Sequence, residues 1–87
     1  IKHLGVFLKG EHEMFKCTIE VKNQTGNTID TICAEASTSE NAKKEACQKC
    51  QKQYNTSCVY CDLLITDPNG DYVDSDSFSI SNGMLDM

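Results

Sequence analysis

Residues 46–61 read ACQKCQKQYNTSCVYC and hold two C-x-x-C pairs, Cys47/Cys50 and Cys58/Cys61, while Cys17 and Cys33 stand upstream. Three chemistries use such pairs. Four thiolates can hold Zn²⁺ tetrahedrally. The usual ribbon or treble-clef arrangement, however, sets each pair on a tight turn with about 15–20 residues between them. Here seven residues intervene, neither pair contains glycine, and the first pair lies in a helical stretch, so Cys17 and Cys33 would be left without a role. A thioredoxin-like C-x-x-C sits at a helix N-terminus, where the dipole lowers the thiol pKa. Cys47 is instead about ten residues into its helix, past the first-turn reach of that dipole. The third chemistry is a disulfide framework, and an even number of cysteines in so short a chain fits it.

Geometry prunes the framework. Six cysteines allow 15 pairings. Cys58 and Cys61, three apart on a strand, would stand about 10 Å apart at Cα, too far to bridge. Cys47 and Cys50 share a helix face and are better used to tie that helix to a sheet. Cys33 and Cys58 flank a helix about 25 Å long, which disfavours their direct pairing. About eight of the 15 connectivities survive. At least one of Cys17 and Cys61 is expected to bond to Cys47 or Cys50, with the helix cross-linked twice.

Other candidate sites are weaker. DPNGDYVDSDS, residues 67–77, places Asp67, Asn69 and Asp71 as the first oxygen ligands of an EF-hand-like loop. The glycine expected after Asp71 is missing, the later spacing is one residue short, and no terminal Glu follows. An acidic hairpin turn is the simpler reading. Weak Ca²⁺ binding through Asp67, Asn69, Asp71, Asp74 and Asp76 is the alternative. No G-x-S-x-G or H-E-x-x-H occurs, and the two histidines are His3 and His12, the latter a solvated turn residue between Glu11 and Glu13. No catalytic residue is assigned, no cofactor is called for, and a non-enzyme is expected.

The elements that must position the cysteines follow from periodicity. MFKCTIEVK, residues 14–22, alternates with Phe15, Cys17, Ile19 and Val21 on one side, a half-buried strand with Cys17 inward. HLGVFL before it reads as another strand (Leu4, Val6, Leu8), NQTGN after it as a turn, and TIDTICA as a strand ending near Cys33. Residues 37–54 form the helix, opened by Ser37 and Glu40 at capping-box spacing, with Ala42, Ala46, Cys47, Cys50 and Tyr54 on one stripe. CVYCDLLIT turns Val59, Cys61, Leu63 and Ile65 inward, DPNG makes a turn, and a hairpin partner follows through Tyr72 and Val73 towards Phe78 and Ile80. The tail SNGMLDM reads as loose, and no internal repeat is evident. The expected fold is α+β: one domain over residues 1–87, a small disulfide-stapled antiparallel sheet with the helix on one face.

With 87 residues the core is thin, and such chains usually need a staple. The net charge of −5 disfavours nucleic acid and anionic membranes as partners. Lys43, Lys44, Lys49 and Lys52 are spread around the helix among acids and glutamines, a solvated face. The chain shows no apolar leader or transmembrane stretch, which fits a processed form. Two sequons, Asn23-Gln24-Thr25 and Asn55-Thr56-Ser57, fit a secretory route with glycosylation at Asn23 and Asn55.

An acidic six-cysteine chain mixing an Ala/Lys/Glu/Gln helix with short strands resembles the small secreted cysteine-rich effectors of plant-associated fungi. Among them it is most similar to proteins like the smut-fungus killer toxin of the KP-six type. The resemblance covers architecture over residues 14–80, rests on no diagnostic motif, and departs in offering one helix where that family has two. It implies a disulfide-tied α/β sandwich and a secreted, extracellular, virulence-type protein that binds a host or competitor target, a protein or cell-surface component. A monomer is expected, with loops 23–28 and 67–77 as contact surfaces. The rival readings are a secreted peptidase inhibitor presenting Lys52 or Tyr54 from residues 52–57, and a pheromone-like signalling ligand. An intracellular four-cysteine zinc module ranks last.

Overall fold

The computed structural model describes residues 13–86. The chain runs β1 (Phe15–Lys22), β2 (Thr28–Ala36), α1 (Ser39–Gln53), β3 (Cys58–Thr66), β4 (Tyr72–Ser81) and β5 (Met84–Asp86). The five strands form one antiparallel sheet in the order β2-β1-β3-β4-β5, with α1 packed on β1 and β2 and reaching β3. This is the α+β architecture expected from the sequence. The expected strand over HLGVFL, together with His3 and His12, lies outside the described residues.

Strand alternation decides the core. Cys17, Ile19 and Val21 from β1 and Val59, Cys61, Leu63 and Ile65 from β3 point under the helix, joined by Ile32, Ala34, Ala36, Phe78 and Ile80. The helix contributes Ala42, Ala46 and Cys50, all fully buried. The alanines on both sides of the contact allow the helix to approach β2 closely. The opposite face of the sheet carries Lys16, Thr18, Glu20, Tyr60, Asp62 and Leu64 and is solvated, as one face of an antiparallel sheet commonly is.

Three details correct the sequence reading. Thr38, not Ser37, is the helix N-cap: its side chain accepts a hydrogen bond from the Asn41 N–H at 3.1 Å. β2 continues past Cys33 to Ala36 because Ile32, Ala34 and Ala36 keep the inward alternation. The tail is not loose. Asn82 (φ 52°) and Gly83 (φ 84°) make a two-residue hairpin turn that sends Met84–Asp86 back along β4, with Ile80 opposite Leu85.

The sheet also contains a repeat that the sequence analysis did not find. Hairpins β1–β2 and β3–β4 superpose in register at an offset of 44 positions, the separation of Cys17 from Cys61. Ile19 faces Leu63, its own equivalent, while Cys17 faces Ile65 and Val21 faces Cys61. A pseudo-two-fold axis therefore passes between Ile19 and Leu63, perpendicular to the sheet. The turns match as well. Asn23 Oδ1 accepts from the Thr25 and Asn27 N–H groups, and Asp67 Oδ1 from those of Asn69 and Asp71. Gly26 and Gly70 both have φ of 89°, a left-handed conformation that costs glycine nothing. Each turn is followed by a register shift that makes Ile29 and Val73 the extra, exposed residues.

Candidate functional site

Six cysteines separate into two sets by strand parity. Cys17 on β1, Cys61 on β3 and Cys50 on α1 all point into the layer between helix and sheet and are fully buried. Cys47, one helical turn before Cys50, is half-buried against the same core. The Cys50 and Cys61 sulfurs lie 3.5 Å apart. Cys33 and Cys58 occupy the other face, where Cys33 Sγ contacts Thr18 Oγ1 at 3.8 Å and Cys58 Sγ contacts Ser81 Oγ at 3.5 Å. No two sulfurs stand at bonding distance, so the stapling expected from the sequence is not shown.

The protonation state of the inner set follows from its burial. Loss of solvent pushes the Cys17 thiol up to about 12, with Cys47 adding to the shift. Burial likewise raises Cys61 to about 12, reinforced by the hydrogen bond and charge of Cys50. Cys47 and Cys50 are raised too, chiefly by desolvation, although Lys43 pulls Cys47 back and the hydrogen bond to Cys61 pulls Cys50 back. These shifts disfavour the reactive thiolate. A reactive redox cysteine needs the opposite shift.

A zinc clip from the two C-x-x-C pairs is not assembled. An odd spacing on a strand sends Cys58 and Cys61 to opposite faces, so Cys58 cannot join Cys47, Cys50 and Cys61. The candidate calcium residues are engaged locally. Asp67 Oδ1 is used by its own turn, while Asp74 and Asp76 Oδ1 accept the N–H groups of Ser75 and Ser77. Asp76 Oδ2 also meets Lys43 Nζ at 3.5 Å, and Asn69 is an exposed turn residue. Among the described residues no three His, Cys, Asp or Glu side chains are placed to hold a metal ion.

The remaining candidates fall at two ends of the sheet. Lys22 pairs with Tyr60 at one end of the β1–β3 ladder, and Lys16 with Thr66 at the other. Asn23 and its turn lie at the first end. So does Asn55, exposed behind the helix C-terminus, where its carbonyl oxygen leaves little room for a Cβ at Gly83 and the Asn82 N–H donates to Ser57 O. The two sequons thus share one pole. The acidic turn 67–71 occupies the other, beside a depression of about 430 Å³ lined by Met14, Lys16, Glu35, Thr66, Asp67, Pro68 and Gly70. The two loops expected to form contact surfaces are about 20 Å or more apart, six strand residues, and cannot form one patch.

Tyr54 closes the helix instead of being presented. Its hydroxyl donates to Asp30 Oδ2 at 2.8 Å, beside a Gln53 amide contact to the same oxygen at 2.7 Å. Desolvation, helped by Asp30, raises the Tyr54 phenol to about 12, and the Tyr54 hydrogen bond holds the Asp30 carboxyl below its ordinary range. Tyr54 is therefore tied to β2 through Asp30. Lys49 Nζ donates to Cys33 O at 3.1 Å on the outer strand, covering part of an open sheet edge. Among the described residues no helix is long and apolar enough to cross a membrane. Comparison with protein-family models, curated proteins and solved structures returns no match.

Proposed function

We propose that this chain is a small secreted, disulfide-stapled binding protein of the effector or toxin-like kind, monomeric and non-enzymatic, that acts on a protein or cell-surface component of a host or competitor. The observation that carries the reading is the convergence of Cys17, Cys47, Cys50 and Cys61 in the dry layer between helix and sheet. A thin core of this kind gains most from covalent closure, and closure suits a protein that must persist among extracellular proteases. The position of the two sequons supports contact through the opposite end of the sheet. On a secretory route, glycans on Asn23 and Asn55 would cover one pole and leave the acidic hairpin 67–77 bare. Asp67 and Asp71 on the rigid turn, with Asp74 just beyond it on β4, present negative charge there, a surface suited to a basic partner.

The test is binding of the purified protein to responding cells. Substituting Asp71 and Asp74 by Asn is expected to lower binding at least tenfold, with a strong dependence on salt. Replacing Asn23 by Gln should leave binding unchanged. Full binding by the Asp71/Asp74 variant would overturn the assignment of the acidic pole.

A further inference from the structure

The placement of the six thiols restricts their pairing further than their spacing does. A bridge requires Cα atoms within about 7 Å and Cβ vectors that converge. Cys33 and Cys58 lie on the face away from the helix, so neither can reach the inner four without crossing the sheet. Nor can they reach each other. Cys33 is opposite Thr18, Thr18 is opposite Leu64, and Cys58 is six residues further along β3, about 20 Å of strand. Within the inner set, Cys61 is opposite Val21, four residues along β1 from Cys17, about 13 Å away. Cys17 and Cys61 therefore cannot pair. Cys50 already meets Cys61 sulfur to sulfur at 3.5 Å, and closing to bond length needs a further approach of about 1.5 Å.

We propose that the oxidised protein carries two intramolecular disulfides, Cys50–Cys61 tying α1 to β3 and Cys17–Cys47 tying α1 to β1, and that Cys33 and Cys58 enter no bridge within one chain. The inference rests on the extracellular reading above, which supplies the oxidant: a small-molecule disulfide or a disulfide-carrying oxidoreductase. In each bridge one cysteine thiolate attacks the oxidant's disulfide, releasing one thiol and leaving a mixed disulfide. The second thiolate then attacks the protein sulfur of that mixed disulfide and releases the second thiol. Two cysteine S–H bonds are lost, one S–S bond forms, and the oxidant is reduced to two thiols. Thiolates are the attacking species, and burial between helix and sheet disfavours the thiolate at all four inner cysteines. Closure is therefore favoured while the helix is still docking and its cysteines are solvated.

The chain is well suited to the test. Trypsin cuts after Lys49, between Cys47 and Cys50, and chymotrypsin cuts after Tyr60, between Cys58 and Cys61. Full-length protein secreted from a eukaryotic host would be unfolded without reductant and alkylated, then split: one portion digested and mapped for linked peptides, the other reduced and labelled with a second reagent. The expected result is a mass four hydrogens below the reduced chain, the first label on Cys33 and Cys58, and linked peptides Cys50–Cys61 and Cys17–Cys47. Bridges Cys17–Cys50 with Cys47–Cys61, or any bridge to Cys33 or Cys58 within one chain, would overturn the pairing and leave the extracellular reading intact. First label on all six cysteines would remove both.

Discussion

Hairpins β1–β2 and β3–β4 share a turn, a bulge and a register, yet differ in what covers them. In the first, the residues beneath the helix are Ile32, Ala34 and Ala36; their equivalents in the second are Asp76, Phe78 and Ile80. Small side chains on β2 admit the helix backbone. On β4, Phe78 and Ile80 fill space that α1 does not occupy, and Asp76 on the same face meets Lys43 of α1. The turn chemistry is thus independent of the layer above, whereas side-chain volume decides which hairpin the helix covers. A helix packs where methyl groups leave room for it, and larger side chains must supply the volume where it is absent.

Exchanging those volumes breaks the comparison. Phe78→Ala should leave a void in the half-sheet that the helix covers least and cost about 3–5 kcal/mol, a large share of the stability of so small a domain. Chemical denaturation is the measurement, with the transition expected at much lower denaturant. The reciprocal change, Ala34→Phe, should cost about 1–3 kcal/mol by overpacking and displace the helix from β2. Its signature is faster amide exchange in α1 than in β3.

The shared turns sharpen the comparison. Gly26→Ala and Gly70→Ala each force a Cβ into a left-handed conformation with no steric neighbour within 4 Å. The backbone penalty alone should appear, about 1–2 kcal/mol, and equally in both. Unequal losses measured by thermal unfolding would show that the two turns are not equivalent. Tyr54→Phe belongs to the first hairpin only. Losing the hydroxyl that holds Asp30 should cost about 0.5–1.5 kcal/mol.

The pH dependence follows from the same groups. The folded-state pKa of Asp30 is depressed by Tyr54, and that of Asp62 by Lys22. Their contributions are present above the unfolded carboxylate pKa, about 4, and are lost as pH falls through the folded values. Tyr54 is raised to about 12, so its contribution is whole below about pH 10 and is lost as pH rises towards 12. The inner thiols have the same sign, with losses starting near about pH 8.5. Reduced protein should therefore lose stability earlier in an alkaline titration than bridged protein, whose inner sulfurs no longer titrate. Coincident curves for the two forms, followed by circular dichroism, would contradict this.

Much of the first hairpin was legible in the residues. Alternation from Phe15 to Val21 placed Cys17 inward, the helical stripe named Ala42, Ala46 and Cys50, and NQTG and DPNG marked both turns. The Asn82-Gly83 signal was also present in the letters; reading it as a loose tail missed a hairpin. The repeat was hidden because only Cys17/Cys61, Gly26/Gly70 and Asp30/Asp74 are identical between the halves. A hairpin needs turn geometry and alternation, both of which tolerate wide substitution.

Local chemistry by itself determined the strands, the helix and their inward faces, because periodicity and turn residues act within a few positions. It also implied that Cys58 and Cys61 must diverge, since strand side chains alternate. Only the tertiary structure decided that Cys50 stands over Cys61, that Cys33 and Cys58 are stranded on the open face, and that both sequons share one pole. Those outcomes depend on how β3 registers against β1 and where the helix lands. Both are set by volumes and contacts between residues far apart in the chain, and no local pattern encodes them.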